Sequence, residues 1–301
     1  MSIIEKADLS KKKVKRLARQ TAMRETQDDH KIIIRPPKGW TPINFRDLWM
    51  YRELIYFMTL RNIQVRYKQS LLGIMWAILR PFLTMVVFSI FFGGFAKIPT
   101  DNNIPYPIFT FAGILPFELF SKAISDTSNS LVHNSHMITK VYFPRMILPI
   151  SSVFSTVLDF VIGLAVLIGM MLYYHITPSI QALWAIPVFL LLAMVSALGI
   201  GLWLSAMNVL YRDINYITPF INQLWMYITP IAYSSTLVSE KWQVLYSINP
   251  MKAVVDGFRW CLLGAPQTTS TAWISAGVAV ILLISGLFYF RRMERTFADM
   301  V

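Results

Sequence analysis

At 301 residues, with 55% hydrophobic and only 15% charged side chains, the chain falls well below the about 25% charge of a soluble domain, which excludes a water-soluble globule. The net charge of +12 points to an anionic partner, but sixteen of the 28 Lys and Arg lie in residues 1–75, against seven acids, and the apolar remainder has no RNA- or DNA-reading motif. That distribution excludes nucleic acid in favour of anionic lipid headgroups, and the single cysteine, Cys261, excludes an intrachain disulfide.

Residues 1–42 read as a polar tail broken by Pro36, Pro37, Gly39 and Pro42. No secretory signal peptide is visible, because the first long apolar run starts near Leu71. Residues 43–73 are predicted to form an amphipathic helix. At about 100° per residue, Phe45, Trp49, Tyr56, Leu60, Ile63 and Tyr67 share a stripe opposite Arg61, Gln64 and Lys68, while Leu54, Met58 and Val65 fall off it. Such a helix lies in the membrane interface or packs, as a soluble helix, on a partner.

A spanning helix needs roughly 20 apolar residues. Six segments within 74–290 qualify: about 75–96, 106–124, 146–174, 183–208, 214–233 and 272–290. The expected fold is therefore an all-α membrane protein. Arg80, close to the start of the first span, can snorkel to the near surface. Glu118 and Lys122, spaced i, i+4 with the acid first, are expected to pair on one helix. Asp159, inside the third span, has three readings: an interhelical ion pair, a wet lumen or proton transfer.

With the amino end inside, the inner segments hold 22 cations and the outer ones four, so both the tail and residues 291–301 are predicted to be cytoplasmic. Between spans five and six, residues 238–263 hold two semi-apolar stretches divided by Asn249-Pro250. Each is too short to cross, which fits a pair of re-entrant helices.

No Gly-Lys dipeptide occurs, hence no phosphate-cradling loop, and no H-E-x-x-H or Cys/His cluster has metal spacing. His133 and His136 share a face but lack companion ligands. No catalytic residue, metal site or cofactor is expected in this chain. A proton-coupled carrier using Asp159 and Glu118 is one rival reading. A membrane glycosyltransferase is another, although Asp101, Asp126 and Asp213 form no evident constellation.

Four stretches together resemble the membrane subunit of polysaccharide ABC exporters, the family that moves O-antigen, capsule-type polymers and teichoic acids. They are Arg66-Tyr67-Lys68-Gln69-Ser70-Leu71-Leu72-Gly73-Ile74-Met75-Trp76 followed by Pro81; Ile138-Thr139-Lys140-Val141-Tyr142-Phe143-Pro144-Arg145; Asn208 with Tyr211-Arg212-Asp213; and Asn249-Pro250-Met251. The resemblance covers about residues 40–295 and implies a type-2 ABC exporter architecture. It further implies a homodimeric channel in the bacterial inner membrane, two partner ATPase subunits that bind ATP and Mg, and a polysaccharide substrate linked to a polyprenyl diphosphate.

By position, residues 128–142 resemble a coupling helix that docks on the ATPase, with Val132, Met137, Ile138, Lys140, Val141 and Tyr142 as its contacts. Leu72 and Gly73, where glycine permits a bend, resemble a cytoplasmic gate, and Asn249 and Pro250 a periplasmic one. Arg61, Arg66, Lys68 and Arg80 are expected where the lipid diphosphate is admitted, since cations suit phosphate oxygens and arginine grips them with a planar fork. The sugars need flat faces in a wet passage. Phe82, Phe88, Phe91, Phe92, Tyr216, Trp225, Tyr227 and Tyr233 are the candidates. The same plan also serves exporters of drugs, haem or lipids.

Overall fold

The computed structural model describes residues 45–68, 73–266, 269–294 and 297. The predicted tail 1–42, Leu72 and most of 295–301 lie outside them. Among the described residues the chain is helical, without strands.

Two helices precede the first apolar run, α1 (Phe45–Met50) and α2 (Arg52–Lys68). The face that packs on the chain is not the predicted stripe. Trp49 and Tyr56 are exposed, whereas Leu48, Tyr51, Leu54, Ile55 and Met58 pack on the chain. Apolar side chains therefore occupy both flanks of this segment, one set against protein and the other facing outward.

Among the described residues five helical segments are long and apolar enough to cross a bilayer: Met75–Phe95, Tyr106–His133, Ile147–Tyr173, Ala182–Leu210 and Thr271–Met293. The first begins as α3 (Met75–Phe88) and widens into a π-helical stretch, Ser89–Phe95. Pro81 within it has no N–H for the preceding turn. The next, α4 (Tyr106–His133), starts at a proline-marked turn and is buried along most of its length. It is the hub of the molecule, touching α3, α6 (Ile147–Tyr173), α7 (Ala182–Leu210) and α10 (Pro250–Leu263). A short helix, α5 (Ser135–Lys140), follows α4 directly.

Small residues set the closest helix approaches, as expected where lipid offers no hydrophobic drive to associate. A Cβ on Gly199 of α7 would lie 2.6 Å from the backbone nitrogen of Leu283 in α11 (Thr269–Met293). One on Gly286 would lie 2.3 Å from the Gly199 carbonyl oxygen.

The fifth apolar segment of the sequence, 214–233, forms α8 (Ile214–Ile228), a helix of only 15 residues. Pro230 is the cause, because it forces the residue before it out of the helical region, and Thr229 is extended at φ −83°, ψ 140°. One face of α8 is polar and sits on α4. Asn222 Nδ2 donates to the Ser121 carbonyl at 3.0 Å and to Ser125 Oγ at 2.9 Å, and Thr218 lies 3.3 Å from Ser128, oxygen to oxygen. The opposite face exposes Tyr216, Phe220, Leu224 and Tyr227.

Two further short helices, α9 (Glu240–Tyr246) and α10, bracket the Asn249-Pro250 step. Asn249 caps α10 by accepting from the Met251 N–H at 3.0 Å, and Pro250 is pre-set for the first helical turn. Gly264, left-handed at φ 70°, closes α10.

Candidate functional site

The ionisable side chains of α2, α3, α4 and α6 converge. Arg66, in the last turn of α2, points its fork between two spans, with Nη2 2.5 Å from Asp126 Oδ2 and Nη1 2.7 Å from Asp159 Oδ2. Its Nη1 also donates to the Ser155 carbonyl and its Nη2 to Ser155 Oγ, each at 3.3 Å. The same Asp159 oxygen receives Lys122 Nζ at 2.7 Å. Farther along α3, Arg80 Nε stands 3.4 Å from Glu118 Oε1. Three cations thus face three carboxylates, as charges held out of water require.

This corrects the expected pairing on α4. Lys122 turns to Asp159 across a helix interface rather than to Glu118 one turn away, and Glu118 is met by Arg80 instead. Asp159 takes the first of its three readings, although its Oδ1 is buried without a protein partner. Sequence reasoning gave Asp126 no role in this cluster. The available signal was its i, i+4 spacing from Lys122, which places both on one side of α4.

The cluster lines a cavity of about 350 Å³ formed by Arg66, Tyr67, Gly73, Trp76, Arg80, Glu118, Lys122, Asp159 and Phe160, among others. Of the four cations assigned by sequence to lipid admission, the structure brings Arg66 and Arg80 to this cavity. Arg61 instead lines a neighbouring cavity and donates to the Asn134 side chain, and Lys68 is exposed at the end of α2. Gly73, at φ 41°, occupies the left-handed region that glycine tolerates.

A second group of assigned residues lies around α5. Val132, Lys140, Val141 and Tyr142 are exposed, Tyr142 by 71%, while Ile138 is buried and Met137 half-buried. Ile138 sits with Leu131, Phe143, Met146 and Phe290 in a small core that fastens this segment to α11. Arg145 donates to the Glu294 carbonyl and lies over the Phe297 ring, adding a polar tie to the same helix end. The result is a protrusion fastened on its inner side, with an apolar and cationic outer side.

At the other end, Asn249 also joins α8 to α10. Its Oδ1 accepts from Trp225 Nε1 at 2.9 Å, and its Nδ2 donates to Thr229 Oγ1 at 3.1 Å. Among the eight assigned aromatics, Phe82, Phe91, Tyr216 and Tyr227 are exposed, and Phe88 is buried against Phe92 with ring centroids 5.3 Å apart. Tyr233 is held by Tyr246, hydroxyl to hydroxyl at 2.8 Å, and Trp225 by Asn249. Exposed apolar surface of this extent on α3 and α8 suits lipid or another protein.

The family profile described as ABC-2 type transporter matches residues 53–263. The chain is 26% identical over 249 residues to the O-antigen export system permease protein RfbA of Klebsiella pneumoniae, covering 83% of this chain and 95% of that protein. A protein of the same name from Myxococcus xanthus is 28% identical over 260 residues, covering 85% and 98%. The polysialic acid transport protein KpsM of Escherichia coli is 24% identical over 253 residues, covering 78% and 91%.

Proposed function

This chain belongs to the ABC-2 type transporter family, and from that premise we propose that it is the membrane subunit of an ATP-driven exporter of lipid-linked polysaccharide. The substrate is a polymer of O-antigen type carried on a polyprenyl diphosphate, moved across the bacterial cytoplasmic membrane through a channel between two copies of the chain. The observation that carries this reading is near-full-length similarity to relatives named for O-antigen export, with 95% and 98% of two such proteins covered. Similarity to a polysialic acid transport protein supports a capsule-type polymer as the second reading.

In this reading α8 is the sixth crossing, made short by Pro230, and α9 with α10 is a re-entrant pair whose broken backbone is enclosed by protein. Both termini are cytoplasmic, as the excess of inner cations favours. α1 and α2 lie at the interface, with Trp49 and Tyr56 toward lipid. The α5 protrusion, with Lys140, Val141 and Tyr142 outermost, docks on a separate ATPase subunit that binds ATP and Mg. Exposed Phe82 of α3, Phe91 of the π-helical stretch that follows it, and Tyr216 and Tyr227 of α8 offer flat faces for sugar rings once two copies enclose a passage.

The test is export in cells. Deleting the chain should abolish surface polysaccharide and leave lipid-linked polymer accumulating inside, and re-expression should restore export. Unchanged surface polymer in the deletion strain would sink the proposal. Stimulation of the purified complex's ATPase by a drug, haem or a plain phospholipid, but not by lipid-linked polymer, would replace it with an exporter of that substrate.

A further inference from the structure

The seam between α4 and α8 is largely polar. Of the side chains of α8, only Ile214, Thr218 and Asn222 are buried, so hydrogen bonds more than apolar packing hold this helix on α4. Asn208 of α7 continues the ladder. Its Nδ2 lies 3.0 Å from the Ser128 carbonyl, 3.0 Å from Asn129 Oδ1 and 3.1 Å from Asn215 Oδ1. The ladder is nevertheless incomplete. The Oδ1 atoms of Asn208 and Asn222 are buried and meet no donor among the described residues. A buried acceptor without a donor costs free energy that contact with water would relieve.

The two ends of α8 are held differently. Just past its C-terminal end, the carbonyls of Pro230, Ile231 and Tyr233 are clasped by the buried Arg259, and Asn249 ties Trp225 and Thr229 to α10. The N-terminal end follows three exposed residues, Tyr211, Arg212 and Asp213. At mid-length Pro219 lacks the N–H that would reach the Asn215 carbonyl, which softens the helix there. α8 is therefore pinned at one end and seated along the rest chiefly by its polar seam.

We propose that α8 turns about the Thr229-Pro230 break during the transport cycle, opening its seam with α4 to water. The inference rests on the reading under Proposed function for the ATP that drives the cycle, and not for the polymer. An apolar seam would resist opening at the full cost of wetting hydrocarbon. A polar seam exchanges each protein hydrogen bond for one to water at a small net cost, and the two orphaned oxygens gain donors. Closure is recovered because the same amides and hydroxyls pair again. The groups uncovered, Asn222, Thr218 and Ser125 among them, are of the kind that hydrogen-bond sugar hydroxyls.

The test is thiol labelling of the full complex, the chain with its ATPase, in nanodiscs open to water on both faces. Asn222→Cys is treated with the charged reagent methanethiosulfonate ethyltrimethylammonium, with and without ATP and Mg. Cys261, buried on α10, is a reference within the same chain. Because labelling of a buried thiol follows the open population, ATP turnover should speed it at position 222 at least about tenfold and leave Cys261 unchanged. Ser125→Cys, across the same contact, should respond alike and serves if the first variant does not fold. No rise at either position while ATP is hydrolysed overturns the proposal, and so does an equal rise at Cys261. Ser125→Ala with Asn222→Leu replaces both partners by apolar groups. That double variant should melt no lower than wild type and should export polymer from cells at least about fivefold more slowly. Export at the wild-type rate overturns the proposal. The two levels separate cleanly. Surface polymer lost on deletion with position 222 protected removes the hinge and leaves the proposed function standing. Labelling that rises under ATP, in a chain whose deletion leaves surface polymer intact, keeps the hinge and removes that function.

Discussion

The guanidinium carbon of Arg259 sits 3.5 Å from the ring centroid of Phe109, and its Nε donates to the Phe109 carbonyl at 3.1 Å. The remaining donors go to backbone as well. Nη1 reaches the Pro230 carbonyl at 2.6 Å and that of Tyr233 at 3.2 Å, and Nη2 reaches Ile231 at 2.6 Å. The acceptors lie at the start of α4 and in the turn after α8, where the helix is broken and carbonyls lack helical donors. One side chain, 1% exposed, thereby closes the backbone accounts of a non-helical turn.

Arg259→Met should therefore leave several buried carbonyls unpaired and lower stability by about 3 kcal/mol or more. Arg259→Lys should recover little, because an ammonium cannot reproduce a fork aimed at four oxygens. Thermal unfolding in detergent, followed by loss of the monodisperse peak, measures this. A variant that melts with wild type would show that the turn finds its donors elsewhere.

The α7–α11 contact is a backbone-to-backbone approach. Gly199→Ala or Gly286→Ala places a methyl within 2.6 Å of main-chain atoms that cannot rotate away. Each substitution should cost about 2 kcal/mol. Gly169→Ala and Gly277→Ala, which meet nothing within 4 Å, should be neutral by the same assay. Equal effects across the four positions would rule out close packing as the cause.

At the cluster, Arg66→Met leaves Asp126 and Asp159 facing Lys122, and the lost strut should cost about 2 kcal/mol. Restoring neutrality with Asp126→Asn in the same chain should return part of that loss. A double-mutant cycle reads the coupling, and strictly additive losses would argue that Arg66 and Asp126 do not interact.

At the α5 protrusion two kinds of residue alternate. Ile138→Ser should destabilise the chain by about 2 kcal/mol, because Ile138 is part of a small core. Tyr142→Ala, at a largely exposed position, should leave melting unchanged while weakening co-purification of the partner ATPase about tenfold. Retention of normal complex yield in Tyr142→Ala would move the docking surface away from this side of the protrusion.

Much of the architecture is local chemistry and was legible in the sequence. Runs of hydrocarbon length mark the long helices to within a few residues at most ends, because hydropathy is a property of each segment by itself. The Asn249-Pro250 step divides two short helices, since a capping side chain and a proline at the first turn act within one turn of chain. The early end of α8 was legible too, in Pro230, but apolarity continuing to Tyr233 masked it. What tertiary structure decided was partnership. Whether Lys122 meets Glu118 four residues away or Asp159 on another helix depends on the rotation of α4 against α6, which packing along their whole length sets. The same holds for Arg66, which by composition is one more interfacial cation and by position is a strut. By sequence Arg259 is one cation within the semi-apolar stretch 238–263. Its role belongs to carbonyls that Pro230 and the end of α8 leave open, distant in sequence and adjacent in space.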